Sequence, residues 1–237
     1  MSQEEIKKTY KVVENCIETH DTVTLKLVFE DGSVPKYRSG QFITIYFQEL
    51  GTPEGKAYSI SSSPSEKTMN ITVKAIGLFS KKLCAMKTGE MFTGSLPYGY
   101  FYSESDKAPL VLVGGGIGVT PFRSMILNSI EKTPFRKIIL FQSCRTVEDI
   151  VFKKDFEELA RKHSQFKPIF FVTRQKSPDP SHICRRIEIA DIVGKKSSKE
   201  KEYFICGSIP FVGDLWKALR KKGIAEEMIC TEAFFSH

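Results

Sequence analysis

Two rhythms of apolar residues run along this chain, and they divide it. Over residues 9–93 the apolar positions alternate with polar ones in short stretches: 10–16, 23–29 and 41–47 place an apolar side chain at nearly every second residue, and 57–61 and 69–75 continue the series. Asp31-Gly32 and Ser39-Gly40 punctuate them as turns. Short strands at this spacing predict an antiparallel β-barrel or sandwich, interrupted by a short helix over 80–86 before a further strand.

After residue 107 the pattern changes to alternating strands and helices. Strands are expected over 110–113, 137–142, 167–172 and 203–206, and helices over 121–130, 147–163 and 210–222, with a shorter one near 182–190. Residues 194–201, rich in lysine and serine, read as an exposed loop, and 228–235 as a last strand. Such alternation predicts a parallel sheet covered on both faces. The domain division is therefore expected at 1–107 and 108–237. Ligands of such domains sit outside the carboxyl ends of the strands and at domain boundaries, so chemistry is expected near 105–108.

Composition narrows the class. At 237 residues the chain is long enough for two modest cores, and 41% hydrophobic with 27% charged residues is ordinary for a globular protein. No apolar run reaches membrane-spanning length, and residues 1–8 lack the apolar core of a signal peptide. The expectation is a cytoplasmic protein without membrane insertion. Its six cysteines, Cys16, Cys84, Cys144, Cys184, Cys206 and Cys230, show no metal-ligand spacing and read as reduced thiols, so no metal is expected. A net charge of +7 favours acidic partners by steering. The basic residues are spread out with no nucleic-acid motif beside them, so nucleic acid is not an expected partner.

The stretch from Leu110 to Pro121 organises the second half. An apolar β-branched run enters three glycines, and Thr120-Pro121 follows as a helix-start signal, because threonine can cap a free N–H and proline lacks one. Strand, glycine turn and helix in this order suit a phosphate or pyrophosphate. The spacing departs from strict G-x-G-x-x-G, and glycine-rich turns also serve as plain connections.

Further residues bring a family into view. Lys56-Ala57-Tyr58-Ser59-Ile60-Ser61-Ser62-Ser63 resembles the flavin-binding signature of the ferredoxin–NADP reductase family, Arg-x-Tyr-Ser followed by small and hydroxyl residues. Gly77-Leu78-Phe79-Ser80 resembles its Gly-x-x-Ser turn at the flavin pyrophosphate, and the run from Gly114 to Pro121 resembles its nicotinamide-nucleotide loop. Cys206-Gly207 is similar to its cysteine–glycine pair at the nicotinamide, and Glu232-Ala233-Phe234-Phe235 to its carboxylate-plus-aromatic end. The resemblance implies an N-terminal antiparallel β-barrel flavin domain followed by an α/β parallel-sheet nicotinamide-nucleotide domain, with FAD as cofactor and NADP or NAD as co-substrate.

It also implies roles. Tyr58 would lay its ring against the flavin, Ser59 would hydrogen-bond near N5, and Lys56, Ala57, Lys74, Ser63 and Ser80 would line the rest of the flavin site. Lys56 stands where the family generally has arginine, keeping the charge but losing the planar fork. Gly115, Gly116, Gly118, Thr120 and Pro121 would hold the nicotinamide nucleotide together with Cys206 and Gly207. Ser59, Cys206 and Glu232 are the candidate catalytic residues, and Phe234 or Phe235 would shield the flavin. Gln142-Ser143-Cys144-Arg145 carries no carboxylate for ribose hydroxyls; Arg145 and Arg174, with Arg185 or Arg186, could hold a 2′-phosphate. The implied activity is an FAD-dependent NAD(P)H oxidoreductase with a separate acceptor, an acidic ferredoxin or flavodoxin. A free-flavin or ferric reductase, an oxygenase reductase component and a non-catalytic flavin-binding subunit are the alternatives.

Overall fold

In the computed structural model, which describes residues 6–176, 179–194 and 201–234, the chain forms two compact units, Met1–Tyr102 with Arg123–Asn128, and Ser103–Phe122 with Ser129–His237. The first is built on six strands and one helix: β1 (Lys7–Thr19), β2 (Thr22–Phe29), β3 (Phe42–Tyr46), β4 (Lys56–Ser59), β5 (Met69–Lys74), α1 (Leu78–Cys84) and β6 (Met91–Ser95). Every pairing is antiparallel, in the order β4-β3-β6-β1-β2-β5. Just past β4, Ile60 pairs with Ile71 of β5 and the Ser61 N–H donates to the Asn70 carbonyl at 2.8 Å. The two ends of the strand order are thereby joined, and the sheet closes into a barrel.

β1 is longer than the alternation over 10–16 suggests, because its register shifts at Val12/Glu14 and Ile17/Thr19 let it bend and pair with both β2 and β6. The inward residues Tyr10, Leu25, Leu27, Ile43, Ile45, Met69 and Ile71 are fully buried. Tyr10 keeps its hydroxyl satisfied by donating to the Ser95 carbonyl at 2.7 Å.

The second unit carries β7 (Leu110–Gly115), α2 (Thr120–Lys132), β8 (Ile138–Cys144), α3 (Lys153–Lys162), β9 (Phe166–Val172), β10 (His182–Ile183), α4 (Ile189–Val193), β11 (Glu202–Ser208), α5 (Ile209–Lys221) and β12 (Ile229–Phe234), with residues 123–128 of α2 belonging to the first unit. All its strands are parallel, in the order β10-β9-β8-β7-β11-β12. The chain steps outward from β7 to β10 and then returns to the other side of β7. Strand order therefore reverses at β7, the place where open α/β sheets bind ligands.

Three sequence-based expectations are corrected here. The helix expected over 147–163 begins only at Lys153, after a single 3-10 turn over Val147–Asp149. Ile150, Val151 and Phe152 are all buried, and three consecutive residues cannot share one helix face; Phe152 takes a left-handed conformation, φ 62°, to turn the chain into α3. The helix expected near 182–190 is replaced by the two-residue strand β10, which pairs with Phe170 and Phe171, and by the later α4. The strand expected to end at 206 runs on through Gly207 and Ser208 as β11, and α5 follows at once. Residues 195–200 of the expected loop lie outside the described residues, as does Phe235.

Candidate functional site

In the second unit the chemistry gathers at the carboxyl ends of β7 and β11. Their register sets Gly114 opposite Cys206, and β11 in turn sets Cys206 opposite Glu232, Gly207 opposite Ala233 and Ser208 opposite Phe234. Beyond β7 the chain makes one 3-10 turn, Gly116–Val119, before α2. Gly116 has φ +56° and open space where a side chain would stand, whereas a Cβ on Gly118 would lie 2.3 Å from the Cys206 carbonyl oxygen. The turn thus offers bare backbone outward and packs its own backbone directly on β11.

Thr120 is the first residue of α2 and its hydroxyl donates to the Ile117 carbonyl at 2.7 Å. It holds the glycine turn closed instead of capping a free N–H, as its position before Pro121 had suggested; Pro121 sits in the first helical turn as expected.

Cys206 is fully buried, and burial, reinforced by the Glu232 charge, pushes its thiol well above the ordinary value. It is a neutral, apolar group at this site. Glu232 and Phe234 are each partly exposed at the end of β12.

At the ends of β8 and β9 two exposed arginines are brought side by side, since the Arg174 N–H donates to the Arg145 carbonyl at 2.8 Å. Arg185 is already engaged: both guanidinium nitrogens reach Asp191 at 2.7 Å. Arg186 is exposed.

The first unit holds the other group of residues. Lys56 and Tyr58 leave β4 on one face, both partly buried, while Ala57 is exposed and Ser59 buried on the opposite face. Tyr58 packs against the barrel core, and burial drives its phenol well above the ordinary tyrosine range. The Ser80 hydroxyl accepts from the Ile76 and Gly77 N–H groups at 2.9 and 3.0 Å, fixing the turn that starts α1; a Cβ on Gly77 would meet open space. The Lys74 ammonium pairs with Asp21 at 2.9 Å.

Several contributing residues gave no sequence signal. The Ser61–Ser63 segment after β4 is gripped from many sides. Arg123 Nη1 donates to the Ser61 carbonyl at 3.0 Å, the Ser124 hydroxyl to the Ser62 carbonyl at 2.5 Å, and the Tyr37 hydroxyl to the Ser63 carbonyl at 2.7 Å. The Ser63 N–H donates to Glu66 at 2.6 Å and its hydroxyl meets Ser65 at 3.0 Å. In the second unit, the Phe211 ring occupies the space where Cβ atoms on Gly115 and Gly207 would stand, 3.0 and 2.9 Å from them. Arg123, Ser124 and Tyr37 lie far from their targets in sequence, as Phe211 does from Gly115, so spacing could not reveal them; Glu66 and Ser65 are local partners of Ser63.

The residues fit the two groups that the sequence implied. Bare backbone at Gly116, fixed at a helix start beyond the switch-point strand, suits a nucleotide phosphate. A partly exposed tyrosine ring with a lysine on the same strand face and a capped glycine turn suit an aromatic nucleotide.

Residues 112–216 match the family described as the oxidoreductase NAD-binding domain. The flavohemoprotein of Bordetella pertussis is 28% identical over 242 residues, covering 96% of this chain and 60% of its own length. The chain thus spans about 60% of the length of that relative. The flavohem-like FAD/NAD-binding domain of the nitric oxide dioxygenase from Vibrio cholerae O1 biovar El Tor superimposes with a TM-score of 0.82 at 24% identity, over 96% of this chain and 98% of that one. A ferredoxin–NADP+ reductase from Neisseria gonorrhoeae with bound FAD and NADP gives a TM-score of 0.79 at 22% identity, over 98% and 100%. No helix among the described residues is long and apolar enough to cross a membrane. Residues 112–216 thus carry the match to the oxidoreductase NAD-binding domain, and the chain shares its fold with these solved FAD/NAD-binding proteins.

Proposed function

We propose that this chain is the reductase unit of an electron-transfer system, oxidising NAD(P)H and delivering electrons to a separate acceptor. The observation that carries the reading is the junction of the Gly114–Gly118 turn with Cys206-Gly207 at the switch point of the parallel sheet. Bound FAD would supply the conversion between a two-electron donor and a one-electron acceptor.

The chain's own residues bind, orient and insulate. Gly115, Gly116 and Gly118 present backbone N–H groups to the nicotinamide-nucleotide phosphates, and Thr120 and Pro121 fix the helix start behind them. Cys206, neutral and buried, gives the nicotinamide an apolar wall, and Gly207 leaves it room. Glu232 orients the nicotinamide or holds a proton at its carboxylate, and Phe234 covers the flavin. In the barrel, Tyr58 buries the isoalloxazine face, Ser59 bonds near N5, Lys56 supplies charge, and the Gly77–Ser80 turn receives the pyrophosphate. Arg145 and Arg174, two exposed cations on adjacent strand ends, support NADP as coenzyme through its 2′-phosphate.

The acceptor proposed is an acidic ferredoxin or flavodoxin, which a chain of net charge +7 would attract. The likeness to a longer flavohemoprotein supports a second reading, a haem-bearing acceptor. The test is an absorbance scan: protein reconstituted with FAD should be yellow and bleach with NADPH or NADH, and protein that takes up no FAD would refute the proposal. Stopped-flow oxidation by ferredoxin, flavodoxin, a haem protein, free flavin and ferric chelates then separates the acceptors. Salt-sensitive rates with ferredoxin or flavodoxin alone favour the first.

A further inference from the structure

Lys56 and Tyr58 share one face of β4, and a single ring meets them both. Phe79, in the first turn of α1, is 4% exposed. Its centroid lies 6.2 Å from that of Tyr58 with only 20° between the planes, and the Lys56 ammonium stands 5.8 Å from it over the ring. Phe47 holds Phe79 from a second direction, centroids 4.9 Å apart and tilted by 46°. The backbone that carries the ring is itself fixed, since Ser80 binds the N–H groups of Ile76 and Gly77.

From this arrangement we propose that Phe79 is a positioning residue for the flavin, setting Lys56 and Tyr58 in one orientation and tying them to the Gly77–Ser80 turn. The inference rests on the reading of Lys56 and Tyr58 as flavin contacts. A near-parallel neighbour within stacking distance restricts the torsion of the Tyr58 ring. Lys56 gains more. A lysine in the place of an arginine is a point charge on a flexible stem, without the pre-organised fork. A ring face within about 6 Å of the ammonium gives that stem a preferred resting place. Side chains ordered before binding have less freedom to lose on binding. One ring in the Gly-x-x-Ser turn thus offsets part of what the lysine gives up.

The test measures FAD affinity of the full chain by flavin fluorescence quenching, with thermal unfolding of each variant followed alongside. Phe79→Leu should weaken FAD binding about tenfold, and Phe79→Tyr, which keeps the ring, should restore it to within about twofold. The discriminating readout is coupling. Lys56→Ala should weaken FAD in the wild-type background and have little further effect in Phe79→Leu, whereas a ring that serves only the barrel core gives additive losses. Unchanged affinity in Phe79→Leu, or an equal Lys56→Ala effect in both backgrounds, overturns the inference while leaving the flavin reading intact. Wild-type protein that binds no FAD overturns both. If Phe79→Leu loses its cooperative transition, Phe79→Met, whose flexible unbranched side chain fills an irregular gap without a ring, takes its place in the cycle.

Discussion

A Cβ added at Gly118 would sit 2.3 Å from the Cys206 carbonyl oxygen and 2.8 Å from the Gly207 nitrogen, so two backbones meet there with no side chain between them. Gly118→Ala must push the nucleotide turn off β11. A loss of about 1–3 kcal/mol in denaturant unfolding is expected, as for overpacked sites, together with weakened NAD(P)H binding. Gly116→Ala is the contrast, since its neighbourhood is open and only its φ of +56° resists a side chain. It should cost about 1–2 kcal/mol from strain alone. Equal binding losses in the two variants would contradict the assigned packing.

The Arg136 guanidinium, with its side chain 4% exposed, donates to the Ala108 carbonyl at 2.6 Å, to Ser103 at 2.7 Å and to Glu202 at 2.6 Å. It fastens the segment entering β7 to the start of β11. Arg136→Leu should destabilise the protein by about 3 kcal/mol, because it leaves a largely buried carboxylate without its cation. Pairing it with Glu202→Leu should recover part of the loss. Urea midpoints of the two variants check this, and a double variant weaker than the single one would count against it.

Tyr58→Ala should lower FAD affinity by about 1–3 kcal/mol if the ring stacks on the flavin. Equilibrium dialysis against FAD measures the change directly. Unaltered occupancy would remove Tyr58 from the site.

Burial of the Cys206 thiol has an alkaline consequence. Its folded-state pKa lies well above the ordinary value, so its contribution to stability is fully present below that ordinary value and drains away as pH rises past it. Urea midpoints compared between pH 7 and pH 10 should fall further for the wild type than for Cys206→Ala. Parallel curves would mean that the thiol titrates normally.

Arg145→Ala and Arg174→Ala should each raise KM for NADPH about tenfold and leave KM for NADH within about twofold, the signature of a lost charge-assisted contact to a 2′-phosphate. Equal changes for both coenzymes would assign the arginines to another task.

The parts of this molecule legible in sequence were those written locally. Period-two alternation gave the barrel strands, the apolar run into three glycines gave β7 and its turn, and Thr120-Pro121 marked the start of α2. Features made by distant partners were not legible. The Ile60–Ile71 bridge that closes the barrel, the Arg136–Glu202 pair and the Arg123 bond to Ser61 each join residues whose separation carries no periodic signal. Phe79 stands at an unspecified position of the Gly-x-x-Ser turn, so the motif that located the turn was silent about its ring. β10 escaped notice because two residues make no pattern, and Ile150 to Phe152 misled because an apolar run suits a buried irregular bend as well as a helix.

Closure of the barrel through Ile60 and Ile71 bears on how this protein avoids sticking to itself. A six-stranded antiparallel sheet left open would display unpaired N–H and C=O groups along two borders, each a template for another chain. Joining those borders withdraws the template. The parallel sheet keeps two outer strands, β10 and β12, and the first is only two residues long. Any strand-to-strand recruitment during heating or refolding should therefore begin along β12.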